Sequence, residues 1–263
     1  MIKSLIKSWF LWLSLSLVLV ACNGATLKKQ QPEVVSLTVS VAASLQDAMK
    51  GIKVLYTKET PDVTIIYNFA SSGSLQQQIE QGAPVDVFIS AAPKQMNALE
   101  SKGLLLEGTR QSILNNQVVL ISPKDQTGIS NFKDLTSDNI SKIAMGDPES
   151  VPAGYYAKEV LTTLNLFDQL KPKLVFGKDV RQVLSYVETG NVDAGLVYAT
   201  DANVSKQVKR VATAPPESYS RIIYPVAVLK ESKNPDHANQ FVQFLSGDSA
   251  KTVFLRYGFI MAE

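Results

Sequence analysis

From Ser36 onwards, short apolar segments alternate with segments of helical periodicity, and this alternation constrains the fold more than any other feature. Residues 36–41 (SLTVSV) and 63–69 (VTIIYNF) are typical of buried strands. The segment after the first of them carries apolar residues at helical spacing from Leu45 to Tyr56. A strand–helix–strand order predicts parallel strands with helices on both faces of the sheet.

The same order recurs in the second half of the chain. A predicted strand at 86–89 belongs to the first half, and in the second half strands are predicted at 118–121, 143–145, 174–176, 195–198 and 222–229, and helices at 152–164, 180–188, 235–245 and 249–257. No Pro- and Gly-rich linker separates the two halves, which favours lobes joined by crossing strands over domains on a tether. The predicted fold class is therefore α/β with two lobes, each a mixed, mostly parallel sheet flanked by helices. The expected bounds are 35–117 with 226–263 for lobe 1, and 118–225 for lobe 2.

The N-terminus has the features of an export signal. Two lysines precede an apolar stretch at 9–20, which is shorter than the roughly 20 residues of a membrane-spanning helix. The stretch ends in Ala21-Cys22, which resembles a bacterial lipobox, so residues 1–21 are expected to be a lipoprotein signal peptide and Cys22 the lipidated residue. Residues 22–34 are expected to be a flexible tether. A plain secretory signal with an incidental cysteine is the alternative.

Charge and composition exclude some classes of binding partner and of scaffold. Two of the 26 basic residues, Lys3 and Lys7, lie in the predicted leader, which leaves 24 basic against 24 acidic residues. A neutral chain has no bulk electrostatic attraction for nucleic acid or an anionic membrane, so membrane contact is expected through the lipid anchor only. With a single cysteine, no disulfide scaffold is possible within the chain.

Common catalytic chemistry is absent from the sequence. His237 is the only histidine and lies in a charged segment that is typical of an exposed helix start. The chain contains no GxSxG, GxGxxG, P-loop or HExxH motif, so we expect neither a catalytic residue nor a bare metal ion. A secreted hydrolase with two carboxylates stays open as an alternative, because Asp and Glu are scattered along the chain.

Small or hydroxyl residues lie where predicted strands give way to helices. Ser44 and Ser72 occupy two such positions in the first half, and Ala153 and Val180 two in the second. Ser44 is expected to be a helix N-cap, with Asp47 three residues on, close to a capping box. Helix starts offer unpaired N–H donors and the positive end of the helix dipole. Because ligands of open α/β sheets bind at the carboxyl ends of the strands, the set predicts an anion site without Lys or Arg.

Seven short stretches follow one another along the chain: VAASL (41–45), FASSGSL (69–75), GAPVDVFISA (82–91), GDPESVPAG (146–154), DVR (179–181), GLVY (195–198) and RYGF (256–259). In this order and spacing they resemble the periplasmic molybdate-binding proteins of ABC transporters. The resemblance covers nearly the whole chain after the tether. It implies that the oxyanion contacts are the hydroxyl and N–H of Ser44, the Ser72 hydroxyl, the N–H groups of Ala153 and Val180, and the Tyr198 phenol. One departure is Gly73-Ser74, where relatives often have Ser-Thr.

The resemblance implies a binding protein rather than an enzyme. Its ligand would be molybdate or tungstate, and its partners a membrane permease with a cytoplasmic ATPase. The protein would be an exported monomer, periplasmic or on the outer face of the cell membrane, anchored at Cys22 and without a cofactor. A binding protein for sulfate or an organic anion is the alternative within the same fold.

Overall fold

The computed structural model describes residues 34–262, so the predicted leader and Cys22 lie outside the described residues. Within this part of the chain, no helix combines the length and apolar character that crossing a membrane requires.

The described residues form a six-stranded sheet and a five-stranded sheet. The first contains β1 (Val35–Ala42), β2 (Val63–Ala70), β3 (Val87–Ile89), β4 (Gln111–Asn115), β10 (Ile223–Val228) and β11 (Ile260–Met261). The second contains β5 (Val118–Pro123), β6 (Ile143–Gly146), β7 (Leu174–Gly177), β8 (Ala194–Tyr198) and β9 (Val208–Thr213). Their orders are β11-β4-β10-β3-β1-β2 and β7-β6-β8-β5-β9.

Helices connect and cover these strands. They are α1 (Gln46–Glu59), α2 (Ser72–Glu80), α3 (Pro93–Ser101), α4 (Pro152–Thr163), α5 (Phe167–Leu170), α6 (Val180–Glu188), α7 (Ala199–Val204), α8 (Pro235–Leu245) and α9 (Asp248–Arg256). We call each sheet with its helices a lobe, and the two lobes belong to one compact unit that begins at Val34.

Each sheet combines parallel and antiparallel pairs. In the first lobe β1 lies between β2 and β3 and is parallel to both, whereas β10 runs antiparallel to β3 and β4. In the second lobe β6 is parallel to β7 and β8, whereas β5 is antiparallel to β8 and β9. Central strands such as β1 are apolar, and its Leu37, Val39 and Val41 are fully buried. The expectation of mixed sheets is confirmed, but the expectation that they are mostly parallel is not, since four of the described strand pairs are parallel and five are antiparallel.

Three strands were not predicted, and each lacks a continuous apolar run. β4 (QSILN) carries polar residues at both ends, and β9 (VKRVAT) is interrupted by two adjacent cations, Lys209 and Arg210. β11 has two residues and pairs with β4 at the edge of the first sheet. β9 and β11 are edge strands, which bury one face at most and so carry a weaker hydrophobic signal, whereas β4 lies between β10 and β11 and its only apolar residues are Ile113 and Leu114.

The chain passes between the lobes twice. The first passage is short, since only Asn116 and Gln117 separate β4 from β5. The second is the connection 214–222 between β9 and β10, which includes a 3-10 turn at Pro216–Ser218. The lobe boundary expected at 225/226 falls inside β10, yet all of β10 pairs within the first sheet. We therefore propose a boundary just before Ile223.

Candidate functional site

Strand ends from both lobes meet around a small cavity. Its lining includes Ser44, Ser72, Ala153, Val180 and Tyr198. The structure thus brings all five sequence-predicted residues together, and none of them is more than 4% exposed. The first two come from helix starts in the first lobe and the other three from the second. The cavity is therefore enclosed by both lobes, at the carboxyl ends of their parallel strands.

Ser44 lies in a 3-10 turn, Ala43–Leu45, that joins β1 to α1. The predicted N-cap role of Ser44 is wrong, because the N-cap position of α1 is Leu45 and no side chain caps that helix. The capping box with Asp47 is likewise not formed. Instead, the Ser44 hydroxyl lies 2.9 Å from the hydroxyl of Tyr224 on β10. A tertiary contact, rather than a local cap, holds this side chain.

Ser72 is the first residue of α2, and the cap of this helix is its neighbour Ser71, whose hydroxyl accepts from Ser74 N–H. The Ser72 hydroxyl is fully buried and accepts a hydrogen bond of 2.9 Å from Ala91 N–H. Because this bond occupies a lone pair of Ser72 Oγ, the hydroxyl proton stays available to a ligand in the cavity.

The second lobe contributes the starts of α4 and α6. Ala153 and Val180 lie in the first turns of these helices, where N–H groups have no intrahelical acceptor. Within residues 34–262, no acceptor contacts the N–H of either residue. The Asp179 carboxylate caps α6 by accepting from Gln182 N–H at 2.9 Å. Backbone donors of two helices thus converge on the cavity.

Glycine allows the start of α4 to approach β6 closely. A Cβ atom on Gly154 would overlap the carbonyl group of Gly146 at the end of that strand. The helix start therefore packs directly on the strand end, which places the N–H of Ala153 at the cavity wall.

Tyr198 closes the cavity at the end of β8. Its side chain is fully buried, and within the described residues its hydroxyl has no hydrogen-bond partner. Burial raises the pKa of the Tyr198 phenol well above its usual range, so the group keeps its proton at neutral pH. An unpaired buried hydroxyl costs free energy, and a bound anion would provide the missing acceptor.

An ion-pair cluster lies beside the cavity. Arg181 of α6 lies 2.8 Å from a carboxylate oxygen of Asp47 and 2.9 Å from one of Asp201, and it donates to the Ser44 carbonyl at 3.4 Å. Burial raises the pKa of Asp201 to about 7, although the Arg181 guanidinium opposes this shift. Arg181 therefore joins the second lobe to α1 of the first, and its charge is shared by two carboxylates.

The lobes also touch directly at the rim of the cavity. Gly73 N–H in α2 donates a 3.0 Å hydrogen bond to the Ser150 carbonyl, which precedes α4. A Cβ atom on Gly73 would overlap the Ser150 backbone. The glycine that departs from the pattern of the resembling family therefore permits backbone-to-backbone contact between the lobes.

Size and chemistry together define the ligand that suits this cavity. The cavity is very small, about 10 Å³ in volume, far below the roughly 300–1,000 Å³ of pockets for drug-sized ligands. The lining offers hydroxyl and N–H donors and no lysine or arginine, and its one carboxylate, Asp179, is engaged as the cap of α6. In residues 34–262, no cluster of three or more His, Cys, Asp or Glu could hold a metal ion. The arrangement suits a small anion that accepts hydrogen bonds on every side.

Sequence reasoning missed the groups that support the site. Tyr224 and Asn116 both contact the Ser44 region through hydrogen bonds, and neither has a motif around it. The one available signal was the pair Asn115-Asn116, polar residues between two apolar strands at the predicted lobe boundary. The contact between Gly73 and Ser150 joins residues far apart in the chain, so no local pattern predicts it.

Comparison with known proteins identifies similar chains over nearly the whole described length. Residues 37–260 match the family described as bacterial extracellular solute-binding protein. A Bacillus subtilis (strain 168) relative, provisionally described as the ABC transporter substrate-binding lipoprotein YvgL, is 45% identical over 92% of this chain and 93% of its own. Molybdate-binding protein ModA of Escherichia coli (strain K12) is 44% identical over 85% of this chain and 88% of its own.

A solved structure gives the same result for the fold. The periplasmic molybdate-binding protein of Azotobacter vinelandii superposes with a TM-score of 0.79 at 26% identity, covering 86% of this chain and 100% of that chain. The two-lobed α/β fold predicted from the sequence is confirmed.

Proposed function

The chain belongs to the family of bacterial extracellular solute-binding proteins, and from this premise we propose that it captures molybdate between its lobes and delivers it to an ABC import permease. The sequence resemblance to molybdate-binding proteins is confirmed by the ModA relatives. One observation carries the choice of ligand: hydroxyl and N–H donors from both lobes converge on one small cavity that contains no lysine or arginine.

Molybdate is a tetrahedral dianion that is fully deprotonated at neutral pH, so it only accepts hydrogen bonds. Ser44, Ser72 and Tyr198 would donate through hydroxyls, and Ala153 and Val180 through backbone N–H groups. Such preorganised dipoles stabilise a buried anion without a counter-charge. Phosphate retains a proton near pH 7 and needs an acceptor, whereas the one carboxylate in the lining, Asp179, already accepts from Gln182 N–H as the cap of α6.

Tungstate has nearly the size of molybdate and the same charge, and we expect it to bind as well. Sulfate has the same charge and shape but is smaller, so only the dimensions of the cavity discriminate against it. A smaller tetrahedron would leave some donors beyond hydrogen-bond distance, and a buried donor left without an acceptor costs about 1–3 kcal/mol.

Capture would stabilise the closed arrangement because the anion bonds to groups of both lobes. A ligand shifts such an equilibrium only by its extra affinity for one state. The closed form would then deliver the anion to a permease driven by a cytoplasmic ATPase. We propose no catalytic residue and no cofactor, since transport of this kind makes and breaks no covalent bond.

The protein would act outside the cytoplasm as a monomer held to a membrane by lipid. The lipobox around Cys22 supports this, as does the lipoprotein description of the Bacillus subtilis relative. The anchor is tested by mass spectrometry of the chain from its native host, with Cys22→Ala as the control. A diacylglyceryl group on Cys22 would support the proposal, and an unmodified cysteine would contradict it.

Calorimetric titration of the whole chain in detergent tests the ligand, with molybdate, tungstate, sulfate and phosphate as titrants. Calorimetry is preferable to intrinsic fluorescence because both tryptophans, Trp9 and Trp12, lie in the predicted leader. We expect one-to-one binding of molybdate and tungstate, much weaker sulfate binding and little dependence on salt. Equal sulfate affinity would make the protein a general oxyanion carrier, and no heat from a folded sample would overturn the proposal.

A further inference from the structure

A chain of buried hydrogen bonds leads from the junction of the lobes to Ser44. The Asn116 amide nitrogen lies 3.1 Å from the Tyr224 hydroxyl and 2.9 Å from the Thr200 hydroxyl. The Tyr224 hydroxyl in turn lies 2.9 Å from the Ser44 hydroxyl. All four residues are buried, and Tyr224 is fully buried.

Which atoms donate along this chain of hydrogen bonds follows from the orientation of the Asn116 amide. The Asn116 amide oxygen accepts from Gln117 N–H at 2.9 Å, which identifies the other amide atom as the nitrogen. An amide nitrogen only donates, so the phenol oxygen of Tyr224 is an acceptor towards Asn116. Burial raises the pKa of Tyr224 above its usual range, and the phenol keeps its single proton. That proton has the Ser44 oxygen as its partner.

The proton of Ser44 is the group that these hydrogen bonds affect. When Ser44 Oγ accepts from Tyr224, its own O–H has no acceptor within the described residues and lies in the cavity wall. Without the phenol proton, the Ser44 hydroxyl could instead rotate and donate to the oxygen of a neighbour. A hydroxyl that is already oriented loses less entropy on binding than one that rotates freely.

This chain of hydrogen bonds also spans both lobes. Asn116 lies in the two-residue passage between β4 and β5, Tyr224 is on β10 of the first lobe, and Thr200 is on α7 of the second. The amide that orients the phenol is therefore held by contacts to each lobe at the point where they join.

We propose that Asn116 and Tyr224 are positioning residues that make the Ser44 hydroxyl a hydrogen-bond donor to the bound oxyanion. This inference rests on the proposed function, since it deepens the role of the same cavity. Neither residue contacts the ligand; each acts through the next hydroxyl along the chain of bonds.

A double-mutant cycle tests the proposal, with molybdate affinity measured by calorimetry on the whole chain. We expect Tyr224→Phe to weaken binding about tenfold, as befits one misdirected bond to a charged ligand. In the Ser44→Ala background, the same substitution should change affinity by less than about twofold, because the group it acts through is gone. If Tyr224→Phe folds poorly, Asn116→Ala replaces it, since that variant leaves the phenol in place. Its effect on affinity should likewise shrink in the Ser44→Ala background.

Tyr67→Phe is the matched control, because it removes a buried phenol hydroxyl that has no partner within the described residues and lies outside the cavity lining. It should leave molybdate affinity unchanged. If Tyr224→Phe lowers molybdate affinity equally with Ser44 present and in the Ser44→Ala background, the positioning role is overturned while the proposed function stays intact. No molybdate binding by the unsubstituted chain would overturn the proposed function and the positioning role together.

Discussion

The two walls of the cavity supply the same kind of donor by different means. The wall from the first lobe presents the side-chain hydroxyls of Ser44 and Ser72, each oriented by a hydrogen bond from elsewhere in that lobe. The wall from the second lobe presents the N–H groups of Ala153 and Val180, which helix geometry leaves unpaired. Tyr198 adds one side-chain hydroxyl to the second wall.

This difference determines which substitutions can remove the donors of each wall. A hydroxyl donor depends on its residue type and on the group that orients it, so one substitution can remove or misdirect it. A backbone donor depends only on where the helix begins, and most substitutions leave it in place. We therefore expect affinity to be sensitive to residue identity in the first wall and to helix geometry in the second.

The largest effect is expected from Ser72→Ala in the first wall. It removes a donor to the anion and leaves the buried Ala91 N–H without its acceptor. We expect molybdate affinity to fall about 100-fold and the free energy of unfolding to fall by about 1–3 kcal/mol. Calorimetry and urea unfolding measure the two quantities. Ser101→Ala, which removes an exposed hydroxyl on α3, serves as the control. Unchanged affinity would exclude Ser72 from the ligand contacts.

In the second wall, Val180→Pro should have a smaller effect of the same kind. Proline removes the N–H at the first position of α6, where it is well tolerated, and the extended backbone of Asp179 suits a residue before proline. We expect an affinity loss of about tenfold to thirtyfold, because the helix dipole and the next N–H remain.

The matched variant Val180→Ala keeps the N–H and loses only the side chain. Calorimetry should give this variant a molybdate affinity within about threefold of that of the unsubstituted chain. Such a change is smaller than the loss of one hydrogen bond to a charged group would cause. Should alanine weaken binding as much as proline, the side chain rather than the N–H would matter, and the comparison of the walls would fail.

Gly73→Ala tests the contact between the lobes. The new methyl group would overlap the Ser150 backbone in the closed arrangement, while alanine favours the helix in which it lies. We expect affinity to fall about fivefold to tenfold, as for mild overpacking, without loss of thermal stability in the ligand-free protein. Gln77→Ala, on the exposed face of α2, is the control for calorimetry and melting. A loss of ligand-free stability instead would indicate that the closed contact forms without ligand.

The smallest effect on affinity is expected from Asp201→Asn, which tests the ion-pair cluster beside the walls. Burial raises the pKa of Asp201 from 3.8 to about 7, against the attraction of Arg181 and with Asp47 and Asp179 adding to the rise. Between these values the folded protein binds more protons than the unfolded chain, so the free energy of unfolding falls as pH rises.

Asparagine does not titrate, so the stability of the Asp201→Asn variant relative to the unsubstituted chain should rise between pH 5 and pH 8. Urea unfolding at both pH values measures this difference. A relative stability that is the same at both would mean that Asp201 does not titrate in this range in the folded protein.

Prediction from the sequence succeeded where the signal was local and failed where it was not. Strands such as β1 and helices such as α6 were found because their apolar periodicity is continuous. The cap assigned to Ser44 was wrong because its hydroxyl bonds to Tyr224, 180 positions away in the chain. A local rule weighs only neighbouring donors, whereas the buried phenol offers a partner that exists only after folding.

Apolar periodicity and the strand–turn–helix order determined by themselves the fold class and the helix starts that carry the donors. They could do so because secondary structure and the unpaired N–H groups at helix starts depend on neighbouring residues. The resemblance implied that five residues form one site, and only the tertiary structure showed that they line one cavity, that Tyr224 joins Ser44 to Asn116, and that Gly73 meets Ser150. Those facts depend on distances between residues remote in the chain, which are set only when both lobes pack together.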